Sequence, residues 1–206
     1  ISVRLVGSEM CIRDRAKLYF NYSSMNAGKS TMLLQANHNY IERGMNPRIY
    51  TSDLDNRFGK GEIVSRIGLK AKSNIFSSKT DIYKDILNSC KKSIVDCVLI
   101  DEAQFLTQNQ VIQLGKIVDE LDTPVLAFGI RTDFQGNLFE GSKYLLAWAD
   151  NLKEIKTVCH CGRKATMVLR LNARGEVVSD GTQIEIGGEE KYVSVCRKHF
   201  IEKNIG

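Results

Sequence analysis

The spacing of apolar and polar residues predicts strands and helices that alternate over most of the chain. Short apolar runs bounded by turn residues predict strands at residues 18–22, 48–52, 94–100 and 124–130. Apolar residues that recur every three or four positions predict helices at residues 30–43, 81–92 and 109–121. Residues 53–74 show no clear period, so a loop is expected there. Strands that alternate with helices indicate βαβ units and a parallel sheet, and therefore the α/β class.

The pattern changes after about residue 150. Segments such as 164–171 and 183–186 alternate apolar and polar residues, and Gly-containing turns separate them. We therefore expect an α/β domain over residues 16–150 and a small β-rich domain over residues 151–206.

The first fifteen residues do not continue into this pattern. They lack the apolar core of a signal peptide, and they contain acidic residues that transit peptides avoid. The segment resembles a translated adapter sequence, and a native disordered tail is the alternative. Residues 1–15 are therefore expected to be a non-native or disordered leader.

Composition narrows the function class only modestly. The chain has 206 residues, 43% hydrophobic and 26% charged, which is typical of a globular protein and excludes disorder throughout. No run approaches the ~18 apolar residues of a membrane span. The net charge of +5 comes from scattered residues, so no nucleic-acid-binding arm is predicted. Six unevenly placed cysteines do not suit a disulfide framework, which favours a reducing, cytoplasmic location.

A candidate phosphate loop joins the first predicted strand to the first predicted helix. Gly28, Lys29 and Ser30 match the end of the pattern G-x-x-x-x-G-K-[ST], and Ser23 replaces its first glycine. Backbone N–H groups of such a loop point at phosphate oxygens, the lysine reaches the β- and γ-phosphates, and the hydroxyl can ligate Mg²⁺. The candidate ATP-binding residues are Ser23, Ser24, Met25, Asn26, Ala27, Gly28, Lys29, Ser30 and Thr31.

Two acidic residues end the predicted strand at 94–100. Asp101 and Glu102 stand where ligands bind in open α/β sheets, at the carboxyl end of a strand. An Asp in this position can hold Mg²⁺, and an adjacent Glu can act as a base. The structural alternative is that the two acidic residues only stabilise a helix N-terminus, where the helix dipole favours carboxylates. With the phosphate loop, the pair predicts binding of Mg-ATP and transfer or hydrolysis of its γ-phosphate.

A second constellation predicts a metal site. Cys159 and Cys161 form one near pair, and Cys196 and His199 form another far along the chain. Structural Zn²⁺ is held by paired ligands on two separate segments. His160 is a competing ligand, and three uncoordinated thiols in a small core are the alternative. Four protein ligands would make the site structural, stapling a unit that lacks a large core.

Several segments together resemble the type II thymidine kinases, most closely the bacterial form. They are YSSMNAGKST (22–31), DNRF (55–58), DEAQF (101–105), GIRTDF (129–134), GGEEKYVSV (187–195) and the cysteine pairs. The resemblance runs from residue 16 to the end of the chain. It implies a P-loop NTPase-like parallel sheet core with a small C-terminal zinc-containing β-rich lasso domain. Ser23 is expected to alter the loop little if its φ is negative.

The resemblance also implies a reaction, in which ATP and thymidine give ADP and thymidine 5′-monophosphate. Glu102 would accept the proton of the 5′-hydroxyl, and Asp101 and Gln104 would lie on the ATP–Mg²⁺ side. A lasso loop anchored by the zinc site would close over the nucleoside. Arg57 and Arg131 are candidates for stabilising the transferred phosphoryl group. The nucleoside contacts implied are Met25, Phe105, Phe134, Ile186, Gly187, Gly188 and Tyr192.

The same resemblance implies a homotetramer inhibited by thymidine triphosphate. Membrane and nucleic-acid partners are not expected. Two other function classes are the alternatives. A nucleic-acid-stimulated ATPase would need a larger basic surface and an arginine finger, and neither is identifiable. A non-enzymatic zinc-ribbon module would leave the phosphate loop and the acidic pair unexplained.

Overall fold

The computed structural model describes residues 16–55, 59, 61–183 and 192–206. The predicted leader, residues 1–15, lies outside the described residues. The elements, in chain order, are β1 (Leu18–Ser23), α1 (Lys29–Glu42), β2 (Pro47–Ser52), β3 (Glu62–Val64), β4 (Lys70–Lys72), β5 (Asn74–Phe76), α2 (Ile82–Cys90), β6 (Cys97–Ile100), a 3₁₀ turn (Ala103–Phe105), α3 (Gln108–Leu121), β7 (Val125–Ile130), α4 (Glu140–Trp148), β8 (Asn151–Glu154), β9 (Thr157–Val158), β10 (Lys164–Ala165), β11 (Met167–Leu171), β12 (Val177–Val178), β13 (Tyr192–Val195) and α5 (Arg197–Ile201).

A six-stranded sheet forms the larger part of the structure. Its order is β5-β2-β6-β7-β1-β8, and every neighbouring pair is parallel. The sequence prediction of a parallel α/β core is therefore confirmed. Because β1 and β6 lie on either side of β7, the loops that follow β1 and β6 emerge at the same edge of the sheet.

The central strand β6 shows why the sheet is covered on both faces. All four of its residues are fully buried. Cys97 and Leu99 pack with the α1 side chains Leu33 and Leu34 on one face. Val98 and Ile100 alternate with them and pack on the other face with residues of α2, α3 and α4. The continuous apolar run thus reflects burial on both sides, as parallel sheets require.

The segment 53–74, predicted as a loop, contains a short hairpin. Its strands β3 and β4 pair antiparallel, from Glu62 opposite Lys72 to Val64 opposite Lys70. Ser65 N donates to Leu69 O at 2.8 Å and closes the turn. The loop prediction was wrong here because strands of only three residues are too short to show an apolar period. Ile63 is buried and packs on the α1 side of the core.

The chain after β8 folds into small antiparallel pieces. One is the ribbon of β9 and β10, and the other is the three-stranded sheet β12-β11-β13, followed by α5. Strand β8 itself pairs with β1 in the large sheet, although it follows the predicted domain boundary at residue 150. We therefore propose that the boundary between the two parts lies after β8.

Among the described residues, no helix is both long and apolar enough to cross a membrane.

Candidate active site and metal site

The segment between β1 and α1 has the geometry of an anion-binding loop. Asn26 and Gly28 have φ of 63° and 82°, whereas Met25 and Ala27, which precede them in turn, are not in the left-handed region. Successive residues of alternating hand turn their N–H groups into one concavity, called a nest, which binds anions. Gly28 is the N-cap of α1 and has no side chain to occupy the helix end. The positive end of the α1 dipole therefore faces the same concavity.

Lys29 and Ser23 hold the back of this loop. Lys29 Nζ donates to Ser23 Oγ at 3.1 Å and to the carbonyl of Ser24 at 3.0 Å. Ser23 Oγ donates to the Ser24 carbonyl at 2.6 Å. Ser23 is not among the residues with positive φ, so no glycine is required there. The condition under which Ser23 was expected to alter the loop little, a φ that is not positive, is therefore met.

The first turn of α1 contacts the carboxyl end of β6. Ser30 Oγ donates to Asp101 Oδ2 at 3.0 Å. Asp101 is 3% exposed. Burial is the largest cause that raises the pKa of Asp101 to about 7, and the neighbouring carboxylate of Glu102 adds to it. The N–H of Glu102, the Ser30 hydroxyl and Lys29 act in the opposite direction and lower this pKa. A hydroxyl and a carboxylate in contact form a donor set that suits Mg²⁺.

Glu102 is held in a constrained backbone conformation. Its φ of 50° and ψ of 40° are left-handed, which costs a non-glycine residue on the order of 1 kcal/mol. The Gln104 side-chain amide donates to Glu102 Oε2, while Gln104 Oε1 accepts from the N–H of Ile130 at 3.1 Å. Gly129 permits this approach, since a Cβ there would lie 3.0 Å from Gln104 N and Oε1. The Glu102 carboxylate is thereby fixed to the end of β7.

One cleft joins the loop to a wall of aromatic residues. Residues 25–31 line it together with Glu102 and Gln104. Ser23, Ser24 and Asp101 are buried and are not among the lining residues. The structure thus brings the acidic pair, the loop and a hydrophobic recess to one edge of the sheet. Aromatic residues of the recess are Phe105, Phe134, Phe139 and Tyr192.

Phe134 is fixed by a buried arginine. The Arg170 guanidinium carbon lies 4.0 Å from the centroid of the Phe134 ring, and Arg170 is 6% exposed. Its two terminal nitrogens donate to the carbonyls of Asp180 at 2.9 Å and Thr182 at 3.0 Å. Arg170 therefore connects a wall of the cleft to the segment that leads toward residues 184–191. Ile186, Gly187 and Gly188, named from the sequence as nucleoside contacts, lie outside the described residues.

The two arginines proposed from the sequence take different places. Arg57 lies outside the described residues. Arg131 donates to the carbonyl of Thr166 at 3.4 Å, its guanidinium lies 5.9 Å from the Tyr22 ring centroid, and it is not among the cleft-lining residues. Arg66, which follows β3, lines the cleft, as does Asp55. Sequence reasoning missed Arg66 because the hairpin that carries it left no periodic signal.

Sequence reasoning also missed the polar pair Asp133 and Gln183. Asp133 is 3% exposed, and its Oδ2 accepts from Gln183 Nε2 at 2.8 Å. The other oxygen accepts from the N–H groups of Gln135 and Asn137. Both members of the pair line the cleft. Asp133 follows β7 closely, so the carboxyl-end rule applied to Asp101 could have identified it as well.

The predicted metal ligands converge. One donor atom from each of Cys159, Cys161, Cys196 and His199 lies within 4.8 Å of the others. The Sγ atoms of Cys161 and Cys196 are 3.9 Å apart, close to the roughly 3.8 Å expected for two thiolates on a tetrahedral zinc ion. His160, the competing ligand, is outside the cluster and stacks on His199 with ring centroids 4.2 Å apart.

Local structure explains this convergence. Cys159 N donates to Arg163 O and Gly162 N to Cys159 O, both at 2.8 Å, in the tight turn between β9 and β10. Cys196 is the N-cap of α5, which places His199 in its first turn. Desolvation raises the pKa of the Cys159 thiol, but the N–H of Cys161, His199 and the N–H of Cys196 lower it to about 6 overall. Three sulfurs and one imidazole form a donor set that is consistent with zinc.

Comparison with known proteins identifies one family. The family model described as thymidine kinase matches residues 16–200. The thymidine kinases of Pasteurella multocida and Haemophilus influenzae strain Rd are 58% and 59% identical over 188 residues, covering 91% of this chain and 98% and 97% of theirs. That of Salmonella typhimurium is 56% identical over 185 residues, covering 90% of each chain.

Among solved structures, the Pif1 helicase of Candida albicans aligns with a TM-score of 0.40 at 12% identity. The alignment covers 68% of this chain and 36% of the helicase, so the chain spans about a third of that protein's length.

Proposed function

The chain belongs to the thymidine kinase family, and on that premise we propose that it transfers the γ-phosphoryl group of ATP to the 5′-hydroxyl of thymidine. The products are ADP and thymidine 5′-monophosphate. The observation that carries this proposal is a single cleft in which the phosphate loop, Glu102 and the aromatic wall meet. Phosphoryl transfer depends on positioning and charge neutralisation, and such a cleft supplies both.

The loop side of the cleft suits the triphosphate. The nest of residues 25–28 and the N-terminus of α1 would receive phosphate oxygens, and Lys29 would place its ammonium between the β- and γ-phosphates. The Ser30 hydroxyl and the Asp101 carboxylate are the residues that would hold Mg²⁺, and we propose Gln104, which lines the cleft, as a further contact on the ATP side. When bound, the ion neutralises charge on the phosphates.

Glu102 is the proposed general base. Its carboxylate would accept the proton of the 5′-hydroxyl as that oxygen attacks the γ-phosphorus, and the bond from phosphorus to the bridging oxygen of ADP breaks. The Gln104 amide and the left-handed backbone at Glu102 hold the carboxylate in one place. Such preorganisation is needed because a base acts within hydrogen-bond reach.

The apolar side of the cleft suits a nucleoside. Phe105, Phe134 and Tyr192 offer ring faces for a base, and Met25 lies at the junction with the phosphate loop. We propose that Ile186, Gly187 and Gly188 complete this contact through the lasso. Arg66 and Arg57 are the proposed partners of the transferred phosphoryl group, and Arg131 is a weaker candidate because it engages Thr166.

The metal cluster is proposed to hold a structural Zn²⁺ that fixes the base of the lasso. Support comes from four protein donors, which leave no position for substrate on a tetrahedral ion. From family membership we further propose a cytoplasmic homotetramer inhibited by thymidine triphosphate.

Measurement of ATP consumption with Mg²⁺ tests the activity. The chain is compared with no addition, with thymidine, with other deoxynucleosides and with single-stranded DNA. We expect turnover with thymidine, together with formation of thymidine monophosphate. Turnover without a nucleoside, or with DNA alone, would overturn the kinase proposal and favour an ATPase.

A further inference from the structure

One face of β13 contacts three different parts of the molecule. Residues two apart on a strand share a face, and Cys196 continues the alternation because its φ of −73° and ψ of 162° are extended. Tyr192 lines the cleft. Ser194 Oγ donates to the carbonyl of Met25, in the phosphate loop, at 2.6 Å. Cys196 belongs to the metal cluster.

The contact with Met25 satisfies a requirement of the loop itself. A nest turns its N–H groups toward the anion, so its carbonyls face the protein and need donors there. The Ser24 carbonyl receives hydrogen bonds from Ser23 and Lys29, which belong to the same loop and helix. The Met25 carbonyl receives its donor from β13, a strand 169 positions away in the sequence.

A second contact joins the same two parts. Ser24 Oγ donates to the carbonyl of Ala165, on β10, at 3.4 Å. Strand β10 is tied to the end of β13, since Thr166 N donates to Val195 O at 3.0 Å. Two successive residues of the phosphate loop are therefore held by strands that also carry or flank the metal ligands.

We infer that Ser194 is a positioning residue for the nucleotide phosphates, acting through the Met25 carbonyl. The inference rests on the proposed function, in that a nucleotide occupies the loop. The Ser194 hydroxyl fixes the orientation of the peptide that joins Met25 to Asn26, two residues that line the cleft. The C-terminal unit thus shapes the ATP side of the cleft as well as the nucleoside side.

Direct binding of ADP with Mg²⁺, measured by calorimetry without thymidine, tests this inference. Ser194→Ala removes the hydroxyl, and loss of one hydrogen bond of ordinary strength should raise the Kd for ADP by about three- to tenfold. The Kd for thymidine should change by less than about twofold, a split that general loosening of the unit would not produce. Ser194→Thr keeps the hydroxyl and should restore ADP binding. Ser194→Cys places a thiol, which is a weak hydrogen-bond donor, in a similar volume, so it should weaken ADP binding as Ser194→Ala does. It replaces Ser194→Ala in the experiment if the alanine variant is unstable.

Ser89→Ala is the matched control. It removes a hydroxyl that donates to a carbonyl, Asp85 O at 3.0 Å, on the exposed side of α2. Its Kd for ADP should equal that of the wild type. Equal ADP affinity in Ser194→Ala, equal weakening in Ser89→Ala, or equal loss of thymidine affinity would each overturn the inference. A wild-type chain that binds ADP but does not phosphorylate thymidine would instead contradict the proposed function alone.

Discussion

In the six-stranded sheet, Val98 and Leu99 are both completely buried, whereas in the ribbon that carries Cys159 the apolar residue Val158 is 73% exposed. The sheet has apolar clusters on both faces that include helices α1 to α4. Among the described residues, the buried apolar cluster of the C-terminal unit has five members, of which Cys159 and Cys196 are also candidate metal ligands. Burial can stabilise the first region by itself, and we propose that the second depends on a metal held by its cysteine and histidine side chains.

The cleft nevertheless takes residues from both regions. Glu102 and Lys29 belong to the sheet region, and Val168 and Tyr192 belong to the C-terminal unit. Ser194 connects the two through Met25. Because the two regions differ in what stabilises them but share one site, we expect that each can be perturbed without the other. The two kinds of perturbation should affect substrate binding and catalysis differently.

Removal of the metal should produce the largest effect. Without the ion, the C-terminal unit loses its main source of stability, so thymidine binding should be abolished while the six-stranded sheet remains folded. Hydrogen exchange followed by mass spectrometry checks this: amides of β11 and β13 should lose protection, and those of β6 and β7 should keep it. Restoring Zn²⁺ is the control. Full activity after verified metal removal would contradict the stapling role.

Glu102→Gln should separate chemistry from binding on the sheet side. The substitution removes the proposed base but keeps an amide of the same shape, so kcat should fall by about 10²–10⁴-fold while the Kd values for ATP and thymidine change little. Steady-state kinetics with calorimetry measure both. Glu120→Gln is a matched control on the exposed face of α3, where the carboxylate accepts from Tyr83. A loss of tenfold or less would place the base elsewhere.

Arg170→Met should act on the nucleoside side alone. The guanidinium holds Phe134 and two carbonyls, and its loss should raise the KM for thymidine by about tenfold with a smaller change in kcat. Arg170→Lys keeps the positive charge but lacks the planar guanidinium that donates to two carbonyls at once, so it should restore little of the affinity for thymidine. Arg174→Met, at an exposed position between β11 and β12, is the control. An equal rise in the KM for ATP would show that Arg170 acts on the cleft as a whole.

Sequence reasoning worked best where one physical signal dominates. The buried strand predicted over residues 94–100 was found at Cys97–Ile100, with Ile94 exposed before it, and the convergence of Cys159, Cys161, Cys196 and His199 was predicted, because apolar runs and ligand pairs are local patterns. The β3–β4 hairpin was missed, and with it Arg66, because its strands have only three residues each and show no period. The contact of Ser194 with Met25 could not be predicted, since it depends on the packing of a strand against a distant loop.

A pH effect on the sheet region should be the smallest. Burial, followed by the charge of Glu102, raises the pKa of Asp101 from 3.8 to about 7, so the folded chain holds a proton that the unfolded chain releases. The proton on Asp101 therefore adds to the free energy of unfolding. This contribution is fully present below about pH 4 and is lost as the pH rises through about 7. Relative to Asp101→Asn, which cannot titrate, the wild type should therefore lose on the order of 1 kcal/mol or more between about pH 5 and 8. Denaturant unfolding at a series of pH values measures the difference, and parallel curves would show that Asp101 titrates normally. The metal-depleted chain should keep this dependence if the sheet is stabilised independently of the C-terminal unit.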